Sequence, residues 1–346
     1  MTNEDLTMTG PVPPYLVFLG DENRLLLAKT GVGIVQWAPE RCVGQYRLST
    51  QAIDLGLEDL SPRDAAARGA KSLVIGVAGI GGAIPPAWRA VLHEALEAGL
   101  DIVAGMHERL HDDAELAERA SELGRRLVDL RDPPADLSVG TGKPRSGRRV
   151  LTVGTDCAVG KKFTALAVWR ELRARGEAGD FCATGQTGVL ISGKGFAIDS
   201  VVSDFISGAA ERLAPANDPA HWDVIEGQGS IFHPAYAGVS LGLLHGSQPE
   251  AIILCHEAGR ERLGYFEDFP TPSLDLAIAR HLEAARLTSL DVRCAGISLN
   301  TKSLAEDEAL ALCKTLSAEL QLPVTDPIRM GAGPLVDRLL SIPPKP

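Results

Sequence analysis

The sequence has 346 residues, of which 45% are hydrophobic and 23% charged, with a formal net charge of −11. This supplies ordinary globular burial and excludes wholesale disorder. The acidic balance argues against a nucleic-acid partner or an anionic membrane surface, because both need a basic field; it leaves room for a local basic pocket.

At about 150 residues per domain the length suggests two domains. Aromatics are only 5%, so the core is expected to be aliphatic. The start, Met1 to Pro14, is polar and Pro-rich and shows no signal-peptide pattern. No apolar run is long enough for a transmembrane helix. Cys42, Cys157, Cys182, Cys255, Cys294 and Cys313 are scattered without a C-x-x-C pair, so neither a disulfide framework nor a structural metal is expected. A cytoplasmic location follows as an expectation.

In chain order, Tyr15–Leu19 and Ser72–Val77 read as strands. Pro86–Ala98 has helical spacing, with Trp88, Val91, Leu92, Ala95 and Leu96 on one face, and Gly99 ends it. Asp101–Ala104 is the next strand, Asp112–Leu123 a helix and Leu127–Leu130 a strand. Residues 1–135 are thus expected to form a Rossmann-like parallel α/β domain. Residues 136–148 lie in a stretch rich in Pro, Gly, Ser and Arg and read as a linker. From 149 to 346 the strand candidates are Arg149–Val153, Asp180–Ala183, Asp223–Glu226, Ala251–Cys255, Ala295–Leu299 and Pro323–Thr325. Helices are expected at Lys161–Arg175, Ser200–Leu213, Ser273–Arg286 and Leu304–Leu320. Continuous apolar runs such as AIILC fit strands buried on both faces. The second domain is therefore read as a doubly wound α/β fold.

The run RRVLTVGTDCAVGKKFTALAVWR, residues 148–170, carries the most chemistry. A strand enters a Gly-bounded loop that opens a helix, the setting in which backbone N–H groups bind phosphate. The Walker pattern is G-x-x-x-x-G-K-[ST]. Here Thr155 stands at the first-glycine place, Asp156, Cys157, Ala158 and Val159 fill the loop, and Gly160 and Lys161 follow. Lys162 replaces the Ser or Thr that normally ligates Mg²⁺, and Phe163 comes next. An ammonium ligates no metal. Two adjacent lysines can instead neutralise a diphosphate without magnesium. The plainer alternative is a glycine turn before a helix with two solvated lysines.

The wording GTD-x-x-VGK is similar to the phosphate loop of dethiobiotin synthetase and its relatives. A wider resemblance rests on GTDCAVGKKFTAL, ATGQTG (Ala183–Gly188), DFISGAAE (Asp204–Glu211) and EGQGSIFHPAYAGVSLGLLHG (Glu226–Gly246). On these motifs, over nearly the whole chain, the sequence resembles the DUF1611 family. The resemblance implies a Rossmann-like N-terminal domain followed by a P-loop NTPase-like domain. A characterised branch of that family is the D-glutamate N-acetyltransferases, which use acetyl-CoA; the resemblance implies that activity, with D-glutamate as substrate.

Each further residue has a chemical and a structural reading. Glu226, in E-G-Q-G-S, can serve as general base, and Gly227 and Gly229 can present N–H groups to an oxyanion; a tight turn is the alternative. His233 can shuttle a proton or bond to backbone. Glu226 and His233 are the preferred acid/base pair, with Lys161 stabilising negative charge. Thr184, Gln186, Thr187, Gln228 and Ser230 can bind substrate or form polar loops. Asp199 and Asp204 can hold a substrate ammonium or cap helices. The helix terminus and lysines are expected to lower the pKa of Cys157. By analogy Asn300 can read an adenine edge, and Arg329 can clamp a carboxylate or the CoA 3′-phosphate. His107 and His111 read as a coincidental pair, and Gly76–Gly82 as a turn with weak resemblance to a dinucleotide loop.

The favoured expectation is an acetyl-CoA-dependent N-acetyltransferase with no bound metal, and a homo-oligomer. The alternatives are a Mg-ATP-dependent ligase or kinase, with Thr164 substituting as ligand, and a nucleotide binder without turnover.

Overall fold

A computed structural model describes residues 10–25, 27–77, 82–264 and 266–343. The chain forms two compact units: 1–134 together with 185–200, and 135–184 together with 201–346. The sequence reading assigns 149–346 to one domain and contains no such excursion. Residues 78–81 of the Gly76–Gly82 turn lie outside the described residues.

In the first unit the order is β1 (Tyr15–Gly20), α1 (Lys29–Trp37), β2 (Cys42–Arg47), α2 (Pro62–Ala67), β3 (Ser72–Ile75), α3 (Arg89–Glu97), β4 (Asp101–Ala104), α4 (Ala114–Glu122) and β5 (Leu127–Asp129). The five strands make a parallel sheet in the order β2-β1-β3-β4-β5. Strands β1, β3 and β4 are buried throughout, as their unbroken apolar runs require. Trp88, Val91, Leu92, Ala95 and Leu96 are buried together, and Gly99 takes a left-handed φ of +88° after α3.

The second unit begins with β6 (Arg148–Gly154), α5 (Lys161–Ala174) and β7 (Gly179–Cys182). The chain then builds α6 (Gln186–Ser192) within the first unit, where α6 packs on α1. Back in the second unit come α7 (Ile206–Leu213), β8 (Trp222–Ile225), α8 (Ala237–Ser247), β9 (Ala251–Glu257), β10 (Arg262–Leu263), β11 (Phe266–Pro270), α9 (Leu274–Ala285), β12 (Arg293–Asn300), α10 (Glu306–Leu320), β13 (Val324–Thr325) and α11 (Gly333–Leu340). Six parallel strands run β13-β12-β9-β6-β8-β7, and β10 and β11 form a separate hairpin. Strand β6 lies where the order reverses, the place where open parallel sheets bind ligands. Among the described residues no helix is long and apolar enough to cross a membrane.

Two details depart from expectation. The 136–148 segment is pinned: the Glu211 carboxylate accepts the N–H groups of Thr141 and Gly142, and Arg148 already belongs to β6. Arg145 is largely buried and donates to the carbonyls of Glu211, Ala214, Gly246 and Ser247, at the C-terminal ends of α7 and α8. A guanidinium suits that place because those carbonyls have no partner inside their helices. Helices α7 and α8 also cross very closely. A Cβ on Gly246 would lie 2.2 Å from the Ser207 carbonyl oxygen, whereas one on Gly238 would meet nothing within 4 Å.

Candidate active site

Because the strands are parallel, the residues following β6, β7, β8, β9 and β12 arrive at one edge of the second sheet. The phosphate loop follows β6. Gly160 has φ +111° and Ala158 φ +55°, so both take the left-handed region. A Cβ on Gly160 would meet nothing, so glycine is needed there for its backbone angle, not for space. Among the described residues the N–H groups of Ala158, Val159 and Gly160 have no hydrogen-bond partner. Loop amides left open at a helix start form an anion-binding concavity.

Lys161 is buried and its Nζ donates to the Asp156 carbonyl at 2.8 Å. Burial first, and Arg260 second, lower its pKa. Lys162 is half-buried, with its ammonium over the Phe163 ring at 4.6 Å. Thr164 turns into the sheet and shares a 2.7 Å hydrogen bond with Ser298. Its hydroxyl is thus engaged with β12 in this arrangement. Val159 packs inward, and Thr155 bonds His256 through Oγ1 and Nδ1 at 2.9 Å.

The Asp156 side chain faces inward and is fully buried. Its carboxylate accepts from Arg260 at 2.6 Å, from the Gly264 amide at 2.8 Å and from the Cys157 amide at 2.6 Å. Arg260 also pairs with Glu257, which Lys302 joins at 2.9 Å. Asp156 thus ties the loop to the segment after β9, and its carboxylate is already engaged. The Cys157 pKa is raised, not lowered as the sequence suggests: burial outweighs the cations Lys161 and Arg260.

Glu226 follows β8 and is 3% exposed. Its carboxylate accepts the Thr184 N–H at 3.1 Å, while the Thr184 hydroxyl donates to the Glu226 carbonyl at 2.6 Å. Gln228 donates to the Thr184 hydroxyl, and its own carbonyl accepts from Ser240. Ser230 donates to the Gly154 carbonyl at 2.9 Å, and the Gly227 N–H to the Thr152 hydroxyl at 2.9 Å. Gly227 is obligatory, since a Cβ there would lie 1.7 Å from the Thr152 carbonyl oxygen. The Glu226–Ser230 loop is therefore strapped against the phosphate-loop strand, with Lys161 running past Gly227.

The partners found for His233 are different. It stacks on Tyr236, meets Phe266 of the β10–β11 hairpin, and has a ring nitrogen within 4.8 Å of the Asp156 carboxylate and the Cys157 sulfur. Glu226 is held on the β7 side of the loop and His233 at its Asp156–Cys157 side.

Other candidates are spread more widely. Gln186, Thr187 and Asp199 belong to the first unit. There Gln186 and Thr187 open α6, and Asp199 pairs with Arg131 at 2.9 Å. Asp204 belongs to the second unit and is exposed before α7, so the two aspartates share no unit. The Asn300 side-chain oxygen accepts the Lys302 N–H at 3.2 Å. Arg329 is exposed and donates to the Leu304 carbonyl, forming neither a carboxylate clamp nor an ion pair with that group. His111 bonds Asp129 at 2.7 Å, and His107 packs beside Gly82. His256, Arg260, Glu257 and Lys302 escape the sequence reading. Their one signal is position, directly after the apolar runs of β9 and β12, where parallel sheets line their sites.

The family models agree with this architecture. Residues 138–336 match "Domain of unknown function (DUF1611_C) P-loop domain", and residues 40–133 match "Domain of unknown function (DUF1611_N) Rossmann-like domain". A protein of Tritonibacter scottomollicae named D-glutamate N-acetyltransferase is 47% identical over 95% of this chain and 99% of its own length. One of the same name from Pseudoalteromonas sp. is 43% identical over 94% of this chain and 98% of its own length. A solved DUF1611 family protein from Anabaena variabilis ATCC 29413 superposes with a TM-score of 0.84 at 33% identity. That match covers 96% of this chain and all of the other. The chain belongs to the DUF1611 family, with its Rossmann-like and P-loop domains in the order the motifs imply.

Proposed function

We propose that this enzyme transfers the acetyl group of acetyl-CoA to the amino group of D-glutamate. The observation that carries the reading is the phosphate loop. The Ala158, Val159 and Gly160 amides are open, Lys161 stands behind them, Lys162 has no lone pair for Mg²⁺, and the Thr164 hydroxyl is bonded to Ser298. Such a loop suits a diphosphate that is held and not cleaved. The names of the two relatives supply the substrate and the group transferred.

In this reading the loop amides and Lys161 hold the CoA diphosphate, and Asn300 and Arg329 lie toward its adenosine end. Thr184, Gln228 and Ser230 shape the floor beside Glu226. An ammonium has no lone pair with which to attack a thioester. Glu226 takes one proton, the free amine attacks the carbonyl carbon, and as the C–S bond breaks the second proton of the nitrogen passes to the departing sulfur, so that CoA leaves as the thiol. The Gly229 N–H, on the loop beside Glu226, offsets the charge that develops on the carbonyl oxygen. Holding both reactants at one edge supplies much of the acceleration.

The test is thiol release from acetyl-CoA with D-glutamate, with L-glutamate and with no amine, all in EDTA. Release with D-glutamate, undiminished by EDTA, supports the reading; no release with any amine refutes it and moves weight to a Mg-ATP enzyme. Glu226→Gln is expected to lower kcat by roughly 10²–10⁴, the size of a general-base contribution. A correctly folded variant with full turnover removes Glu226 as base.

A further inference from the structure

In a trans peptide the C=O and the N–H point in opposite directions, so whatever fixes the Cys157 carbonyl also fixes the Ala158 N–H. That carbonyl accepts from Arg260 Nη1 at 3.1 Å. The Ala158 N–H therefore points away from Arg260, and among the described residues it has no partner. The preceding peptide is fixed as well. Lys161 Nζ donates to the Asp156 carbonyl at 2.8 Å, and the Cys157 N–H donates to the Asp156 carboxylate at 2.6 Å.

This orientation is not the relaxed one. Ala158 has φ +55°, a left-handed value that a residue with a Cβ rarely takes. Turning the Cys157–Ala158 peptide over would change that angle by about 180°, to about −125°, in the ordinary extended region. The flip would relieve Ala158 and turn its N–H away from the ligand side of the loop. Arg260 opposes it. The guanidinium Nη1 reaches both the Cys157 carbonyl and Asp156 Oδ2, the latter at 2.6 Å, and its Nη2 is taken by Glu257. The Gly264 amide donates to the same Asp156 oxygen at 2.8 Å. Asp156 is fully buried, so this carboxylate anchors the arginine in one place. A flipped peptide would set the Ala158 N–H against the N–H groups of Arg260.

We infer that Arg260 is a positioning residue: by holding the Cys157 carbonyl it aims the Ala158 N–H at the anion that the phosphate loop binds. That this anion is the diphosphate of CoA rests on the transferase reading; the orientation of the peptide does not.

Three measurements on the full-length protein test it. The first is a crystal structure of Arg260→Met. The expected result is a Cys157–Ala158 peptide turned over, or present in two orientations. A peptide left as it stands overturns the inference, whatever the enzyme does. The second is calorimetric titration with CoA and with inorganic pyrophosphate. Arg260→Met is expected to weaken both by roughly 10–100-fold, the worth of one hydrogen bond to a charged acceptor, and unchanged affinity overturns the inference. Glycine takes a positive φ without penalty, so adding Ala158→Gly to Arg260→Met should recover several-fold of the lost affinity. No recovery overturns the inference and identifies Arg260 as a direct ligand of the anion. The third is steady-state kinetics. In Arg260→Met the KM for acetyl-CoA should rise with the loss of affinity while kcat falls by no more than about threefold. A loss mainly in kcat places Arg260 at the reacting atoms instead. If the unpaired Asp156 prevents Arg260→Met from folding, Asp156→Asn with Arg260→Met leaves no such charge and is measured in its place. Wild-type protein that binds neither CoA nor pyrophosphate overturns the inference. Wild-type protein that binds CoA but acetylates no amine defeats the transferase reading, while the first two measurements still decide the role of Arg260.

Discussion

Gly246 and Gly238 lie on the same helix and should respond to alanine with opposite signs. On propensity alone, glycine to alanine in a helix gains roughly 0.4–1 kcal/mol, because the unfolded chain loses freedom. At Gly238 a Cβ meets nothing within 4 Å, so that gain should be realised. At Gly246 the added Cβ would lie 2.2 Å from the Ser207 carbonyl oxygen and 2.6 Å from its Cα. Both are backbone atoms, so no side-chain rotation relieves the clash, and α7 and α8 must part by about an ångström or more. Overpacking of this kind costs about 1–3 kcal/mol. The separation would also disturb Arg145, whose guanidinium donates to both helix ends. The expected net loss is about 1–2 kcal/mol for Gly246→Ala, against a gain of up to about 1 kcal/mol for Gly238→Ala. For a unit of roughly 200 residues each kcal/mol moves Tm by about 2–4 °C. Urea and thermal unfolding of both variants, followed by far-UV circular dichroism, read the difference. If Gly246→Ala proves as stable as Gly238→Ala, the close crossing of α7 and α8 is not real.

Three further outcomes are expected. Burial holds the His281 pKa down at about 4, so the folded chain binds no proton there until about pH 4, whereas the unfolded chain takes one up below about 6.5. Stability should therefore fall as pH drops from about 6.5 to 4, by roughly 3 kcal/mol from this residue; His281→Gln should lose one proton's worth of slope in acid-titrated urea unfolding, and an unchanged slope contradicts the assignment. Arg145→Met leaves several helix-end carbonyls without their donor and should destabilise by about 3 kcal/mol or more, seen as a lower urea midpoint; an unchanged midpoint shows that water replaces the guanidinium freely. Because burial raises the Cys157 thiol, iodoacetamide should label it more slowly at pH 7 than a free cysteine, accelerating only in alkaline solution. Peptide mass mapping checks the rate, and rapid labelling at neutral pH restores the activated thiol that the sequence suggests.

The elements legible in the sequence are those whose signal is local. Strands β1, β6, β9 and β12 are each built around a mostly apolar stretch, and the Gly160–Lys161 junction announces both a loop and a helix start. Strand β2, CVGQYR, was not legible: it sits at the sheet edge, half-buried and without an apolar run. Helix α8, AGVSLGLLHGS, carries three glycines that propensity would read as breakers; two of them, Gly242 and Gly246, are where α7 approaches. The arginines at 145, 148 and 149 look solvated in sequence, yet they are largely buried against carbonyls and Glu250. The site divides in the same way. Its loop was readable because neighbours in sequence build it. Its supports, His256 on Thr155 and Arg260 on Asp156, arrive about a hundred residues later, by a strand order that no local pattern encodes.

The excursion of Gly185–Ser200 changes what a cut in this chain would do. The backbone passes from one unit to the other near 134, returns after 184, and passes back again after 200. A nick within 136–148 would leave no peptide bond between the fragments, because both later crossings lie in the C-terminal piece; that piece would hold the other through the packing of its α6 on α1. A gene divided at the same place would give an N-terminal half lacking α6 and a C-terminal half carrying it away from α1. Neither half would be a complete folding unit. Dissection of this protein therefore has to follow the path of the backbone, with 185–200 grafted or excised as a block, and not the order of its two sheets.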